Sequence, residues 1–369
     1  MTHTSSRSLH VIGAGLIGTS IALAAREHGL NVSVEDSRTA NEALAFDLLN
    51  AKSSTSQTNS SSHDPVDLVV VAVPPEQTAK EVSRALKEYP QSLIIDVASV
   101  KTKVIAEVKD LSDAIGRFIP THPIAGRQFH GPAAAQADLF KNRPWILTPL
   151  TQNSSEDVQR VGSLLSALGA NLHRMTAEEH DAIFARVSHL PQILSTLLSA
   201  TLRDQPGAVA FSGQGFRDMT RLAESDGGLW AQIIPLNSEE ILIALQEFKA
   251  SLNKIERAIE LNDASTILKV FQEGKSTRTL LAGKHGGVPR DYIFFRIVID
   301  DRPGVLAELF ALCGEVNVNV EDLTIEHSPN QETGLITLAI APEHKTPLEM
   351  ILNDRSWNFH LDPSLESLE

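Results

Sequence analysis

Two periodicities divide the chain. Through residue 175, short and nearly continuous apolar runs alternate with segments of helical spacing. "SLHVI" (8–12) leads into "GAGLIG" (13–18), and Ile17, Ile21, Ala24 and Ala25 then recur on one helical face before a second strand ending at Asp36. "VDLVVVAVPP" (66–75) is apolar throughout, as a parallel strand buried on both faces would be. "SLIIDVASVKTKVIAEV" (92–108) repeats the strand-then-helix theme, and "GRFIPTHPIAG" (116–126) supplies another strand end. This alternation predicts an α/β domain with a parallel sheet over residues 1–175. The polar run "NAKSSTSQTNSSSHDP" (50–65) reads as a surface loop.

From Thr176 the period changes to 3.6. Thr176 and Glu179 form a capping-box pair, and "HDAIFARVSHLPQILSTLLSATL" (180–202) continues as helix. Ile183, Val187, Leu190, Leu194 and Leu197 form its apolar stripe, while Asp181, Ala185, Ser188, Gln192 and Thr196 form a second, small-and-polar row. Pro191 removes a donor and predicts a kink beside His189. Past Pro235, "NSEEILIALQEFKASLNKIERAIEL" (237–261) is a long amphipathic helix with Asn237 and Glu240 as its cap, of the kind that pairs between subunits. Residues 176–285 are thus predicted to be an all-α dimerisation domain. "GKSTRTLLAGKHGGVPRDY" (274–292) reads as a linker. Over 291–369 the order strand, helix, strand, strand, helix, strand predicts an α+β ferredoxin-like module.

Composition narrows the partners. The 369 residues hold 46 acidic against 32 basic side chains, a net charge of -14, which disfavours nucleic acid. No apolar run is long enough to span a membrane, and no apolar signal region precedes the first strand, so a cytoplasmic location is expected. The single cysteine, Cys313, lies in an apolar helix and reads as a core residue. No His/Cys/carboxylate spacing suggests a metal.

The chemistry concentrates at strand ends. Gly13, Gly15 and Gly18 sit between a strand and a helix, with Asp36 closing the next strand, which is the context a dinucleotide site requires. The loop Gly13-Ala14-Gly15-Leu16-Ile17-Gly18, together with Val73 and Pro74, is the candidate cofactor edge. Asp36 favours NAD by repelling a 2′-phosphate, Glu35 adds to that repulsion, and Arg38 leaves room for NADP. Ser99 and Lys101 fall at the same edge of the sheet, as does His122, which Pro123 biases toward extended backbone. In "GQGFRDMTRLAESDGGLW" (213–230), Arg217 and Arg221 are i, i+4 neighbours that suit a clamp for a dianion, with Asp218 placed to orient Arg221. Ser225-Asp226 reads as a helix cap before Trp230.

These stretches together resemble the prephenate dehydrogenase family of tyrosine biosynthesis, over nearly the whole chain. The markers are "GAGLIGTS", "VAVPP", "DVASVK", "THPIAG", "RVSHLPQ" and "GFRDMTRLAESD…W". "IDDRPGVLAELFALCGEVNVNVEDL" resembles an ACT domain. The resemblance implies NAD-dependent oxidative decarboxylation of prephenate to 4-hydroxyphenylpyruvate by a homodimer. It implies His122 as the histidine acting on the ring hydroxyl, Ser99 as its orienting hydroxyl and His189 as a second active-site histidine. Arg221, with Arg217 nearby, would bind a substrate carboxylate, and Trp230 would lie near the pocket. Gln128 stands where many members carry an acidic residue, and "SDGGLW" lacks the usual proline after Ser-Asp. Tyrosine or phenylalanine is the implied effector of the ACT-like module, near Asp301, Gly304 and Asn319. Arogenate dehydrogenase is the alternative on the same scaffold; a catalytically silent NAD-binding amino-acid sensor is the other.

Overall fold

The computed structural model describes residues 8–50, 66–125, 131–280, 292–300, 302–327 and 333–361. The expected loop at 50–65, Gln128 and Asp301 therefore lie outside the described residues, Asn50 apart. The chain forms two compact units, Met1–Ser251 and Leu252–Glu369.

The first unit opens with β1 (Ser8–Ile12), α1 (Leu16–Glu27), β2 (Asn31–Glu35), α2 (Thr39–Asn50), β3 (Leu68–Val71), α3 (Pro75–Glu88), β4 (Leu93–Asp96), α4 (Thr102–Leu111) and the two-residue β5 (Phe118–Ile119). The strands pair in parallel in the order β2-β1-β3-β4-β5. Strand order reverses between β1 and β3, which places the glycine loop at the switch point where open α/β sheets bind ligands. All four residues of β3 and of β4 are buried, the apolar ones as the pattern requires and Asp96, ending β4, through its bonds to Lys101 and Thr121. Pro120 ends the parallel sheet. β6 (Thr121–Pro123) belongs instead to a second sheet, antiparallel to β7 (Pro144–Leu147), with α5 (Ser155–Ala167) leading to β8 (Asn171–Arg174) on β7's other side. His122 thus lies one strand beyond the sheet end to which the periodicity assigns it.

Thr176 caps α6 (Ala177–Phe184) with both bonds of the predicted box, Glu179 N–H to Thr176 Oγ1 at 3.1 Å and Thr176 N–H to Glu179 Oε2 at 2.8 Å. The kink expected at Pro191 is a π-helical turn, Ala185–His189, that joins α6 to α7 (Leu190–Ala200). The polar row turns mostly inward: Asp181, Ala185 and Gln192 are buried, with Ser195 beside them, whereas Thr196 and the stripe residues Ile183, Val187 and Leu197 are exposed. Inward polar groups are tolerated because neighbouring elements supply hydrogen bonds. α8 (Pro206–Val209), α9 (Gln214–Thr220), a 3₁₀ turn (Arg221–Glu224), α10 (Gly227–Leu236) and α11 (Ser238–Glu260) follow. Asp226 caps α10 through Gly228 N–H at 2.8 Å.

In the second unit α12 (Ala264–Thr279) takes up the first residues of the expected linker. Then come β9 (Ile293–Asp300), α13 (Val305–Glu315), β10 (Val320–His327), β11 (Thr333–Ile340), α14 (Lys345–Asp354) and β12 (Phe359–Leu361). Their antiparallel order β10-β11-β9-β12 is the ferredoxin-like plan. Cys313 is buried in its core with Phe295, Leu309 and Leu348.

Candidate active site

The glycine loop is shaped by what lies around it. Gly13 has φ +105°, and a Cβ there would meet the Ala72 carbonyl oxygen at 2.3 Å. A Cβ on Gly18 would meet the Gly13 carbonyl oxygen at 2.0 Å, so α1 packs against the loop with no room to spare. At Gly15 a Cβ would enter open space, the room a pyrophosphate needs beside the α1 N-terminus. Asp36 braces this loop: its carboxylate accepts from Ala14 N–H and from Arg38 N–H, both at 2.7 Å. Glu35 departs from expectation. It is paired with Arg84, and His10 Nε2 lies 3.6 Å from its carboxylate; attraction to these two groups overcomes burial and holds its carboxyl down to about 2. Its charge is thus compensated locally, whereas Asp36 is held by main-chain donors. Val73 and Pro74 follow β3 directly, Pro74 at the N-cap of α3.

At the next strand ends a second cluster forms around His122. Its Nδ1 lies 2.8 Å from His180 Nε2, and His180 Nδ1 lies 2.8 Å from Asp181 Oδ1. Asp181 also accepts from the main-chain N–H of Lys101 (2.9 Å) and of Thr102 (2.8 Å), at the start of α4. These bonds outweigh the desolvation of its carboxyl and lower its pKa, so it is ionised. An ionised Asp181 requires His180 to carry its proton on Nδ1. His180 Nε2 is then an acceptor, His122 Nδ1 carries a proton, and His122 Nε2 keeps its lone pair. Phe184 packs against both rings, 4.9 Å from His122 and 4.4 Å from His180 between centroids.

Beneath His122, Lys101 is fully buried, donating to Asp96 Oδ2 (2.5 Å) and the Thr121 carbonyl oxygen (2.6 Å). Asp96 Oδ1 accepts from Thr121 N–H at 2.9 Å, so the ion pair fixes the backbone that carries His122. Burial, then repulsion between its charged form and those of His180, Lys101 and His189, push the His122 pKa well below 6.5. His180 is also lowered, chiefly by burial.

His189 ends the π turn. It is buried, 5.9 Å from Trp230 in an edge-on arrangement, and burial lowers its pKa to about 4. Gln192 donates to the Leu222 carbonyl oxygen at 2.7 Å and accepts from Ser225 Oγ at 3.3 Å, holding the 221–225 turn against α7. Arg217, on α9, and Arg221, opening the 3₁₀ turn, both lie exposed. Asp218 does not reach Arg221, because its carboxylate accepts from Gln214 Nε2 at 2.8 Å. Ser99 is half-buried at the β4 end, and its hydroxyl makes no hydrogen bond to another described residue. The group on His122 Nδ1 is His180, which pattern reading passed over. Asn237, between α10 and α11, turns its side chain inward: its amide donates to the Asp181 carbonyl oxygen at 2.9 Å and sits 3.2 Å from His189 Nδ1. In the C-terminal sheet Gly304 has φ +93° at the start of α13, and Asn319 donates to Glu321 at 2.9 Å.

A switch-point glycine loop in the same compact unit as a cluster of neutral histidines defines a dinucleotide-binding protein of the dehydrogenase kind. Residues 21–174 match the nucleotide-binding domain of prephenate dehydrogenase, and residues 176–273 match its dimerization domain. The prephenate dehydrogenase of Bacillus subtilis is 29% identical over 342 residues, spanning 89% of this chain and 90% of that protein. The cyclohexadienyl dehydrogenase of Zymomonas mobilis is 31% identical over 294 residues, spanning 76% and 98%. Among solved structures, the prephenate dehydrogenase from A. aeolicus in complex with hydroxyphenyl propionate and NAD+ superimposes with a TM-score of 0.65 at 25% identity, covering 75% of this chain and 99% of that one. The chain belongs to the prephenate dehydrogenase family.

Proposed function

We propose that this protein oxidises and decarboxylates prephenate to 4-hydroxyphenylpyruvate, with NAD as the hydride acceptor. The observation that carries the reading is His122, neutral and proton-bearing on Nδ1, with Nε2 left as a base. The residues present fit NAD: Gly15 leaves space for the pyrophosphate, Gly13 and Gly18 admit no side chain, and Asp36 stands at the ribose end. Bound NAD supplies the acceptor for the hydride.

His122 Nε2 takes the hydroxyl proton as the carbinol C–H bond breaks and its electron pair leaves as hydride. The ring carboxylate then departs as CO2, and its electron pair aromatises the ring and ends on the former carbinol oxygen. That oxygen recovers the proton from His122, so the base ends as it began and the product leaves as the phenol. Arg221, with Arg217 beside it, binds a carboxylate of the dianion; Ser99 contacts the hydroxyl, and His189 and Trp230 line the pocket.

The functional parts are 1–175 for the dinucleotide, 176–285 for substrate and dimerisation, and 291–369 for regulation. The exposed apolar side chains Ile183, Val187, Leu197, Leu242 and Phe248 are the natural surface for a second copy of the chain. The ferredoxin-like sheet is proposed as an ACT domain that takes tyrosine or phenylalanine near Asp301, Gly304 and Asn319. The test is NADH formation from prephenate and NAD, run beside arogenate and NADP, with and without tyrosine. No turnover with prephenate would overturn the reading, and faster turnover with arogenate would reassign the substrate.

A further inference from the structure

His122 is the end of a chain of three groups, and the other two have no role in the mechanism above. Asp181, His180 and His122 are joined by two contacts of 2.8 Å. His180 is fully buried, and Asp181 is 2% exposed. The Asp181 carboxylate is held in turn by the main-chain N–H groups of Lys101 and Thr102 and by the Thr102 side chain, at the start of α4. The groups facing His122 across this site are His180, Lys101 and His189, and the nearby carboxylates are Asp181 and Asp96.

We propose that His180, anchored by Asp181, is a positioning residue that holds His122 in its Nδ1–H form and stabilises the imidazolium formed when His122 takes the substrate proton. This rests on the proposed function. The hydroxyl proton is returned to the phenol oxygen within the same turnover, so His122 holds it only briefly. A base that borrows a proton needs a partner for its charge. His180 supplies the partner: its Nε2 accepts from His122 Nδ1–H, most strongly when His122 is charged. Phe184, stacked on His180, keeps water from replacing it.

Two substitutions separate this role from a merely structural one. In His180→Leu the Nδ1 acceptor is lost; kcat should fall roughly 10²-fold at unchanged KM for prephenate, the scale of a misdirected base. The acid limb of kcat should move to lower pH, since the imidazolium is less stable. His180→Gln offers a carboxamide oxygen to His122 and an N–H to Asp181, and should restore most of kcat with the limb near its wild-type position. Long-range ¹H–¹⁵N correlation on the histidine-labelled full chain reads the tautomer directly, without turnover. A wild-type His122 found as Nε2–H would overturn the proposal, as would two variants equally impaired with unmoved limbs. If the tautomer is Nδ1–H and prephenate is not turned over, the proposed function fails and the positioning role of His180 stands.

Discussion

The side-chain amide of Asn237 sits 3.2 Å from Nδ1 of His189 and fixes which nitrogen of that ring bears the proton. Its orientation is settled by the Asp181 carbonyl oxygen at 2.9 Å, which can only accept, so the NH₂ group must point there. The second N–H then meets His189 Nδ1, leaving His189 with a proton on Nε2. The two histidines thus hold opposite tautomers: His122 offers an acceptor, His189 a donor.

That opposition is testable through Asn237→Asp. A carboxylate beside His189 would draw the proton to Nδ1 and favour the charged ring. The His189 pKa, about 4 in the wild type, should rise by at least one unit. NMR titration of the histidines checks this, and an unmoved His189 would show that Asn237 does not set its tautomer.

For His122 the expected variant is Asn. His122→Asn removes the base and should lower kcat by roughly 10²-fold or more. NAD affinity, read by fluorescence titration, should hardly change because the glycine loop is separate. Near-normal turnover would remove His122 from the mechanism.

Arg221→Ala should act chiefly on KM. Loss of a charge-assisted partner to a carboxylate is worth about 1.5–3 kcal/mol, or roughly ten- to a hundredfold in binding. Arg217→Ala should be milder. Because both side chains are exposed without substrate, neither variant should lower the urea midpoint. An unchanged KM in Arg221→Ala would place the clamp elsewhere.

Asp36 has two tasks, and its variants should show both. It closes the glycine loop through Ala14 N–H and repels a 2′-phosphate, while Glu35 is compensated by Arg84. Asp36→Ser should narrow the preference for NAD over NADP and also weaken NAD itself. Initial rates with each cofactor check this. A wild type faster with NADP would hand control of the ribose end to Arg38.

The helix–strand alternation, the glycine loop, the capping box and the C-terminal βαββαβ order were legible because each is a local signal: a period, a φ requirement or a cap. What escaped was decided by partners far along the chain. His180 follows a helix cap and looks like a surface residue; only the fold brings His122 to it, 58 positions away in sequence. The polar row of α6 and α7 points inward because Lys101, Thr102, Leu222 and Asn237 supply its bonds. Asp181 already stood in that row as an unexplained charge. A buried charge needs partners, and the search for them would have led to the α4 N-terminus.

The three histidines of the site also make the fold sensitive to acid. His189 has a folded pKa of about 4 against 6.5, and His122 and His180 are displaced in the same direction. Between those pH values the unfolded chain binds protons that the folded chain refuses, so stability rises with pH across the window and is lost as pH falls from 6.5 toward 4. For His189 alone the difference corresponds to about 3 kcal/mol. Glu35, held at about 2 against 4.5, adds stability that is lost only below pH 4.5, in a separate window. Urea midpoints measured from pH 7 to pH 4 should therefore fall steadily, and His189→Asn should flatten part of that fall. A midpoint independent of pH over this range would mean that the histidines titrate alike in the folded and unfolded chain, so that burial does not hold them neutral.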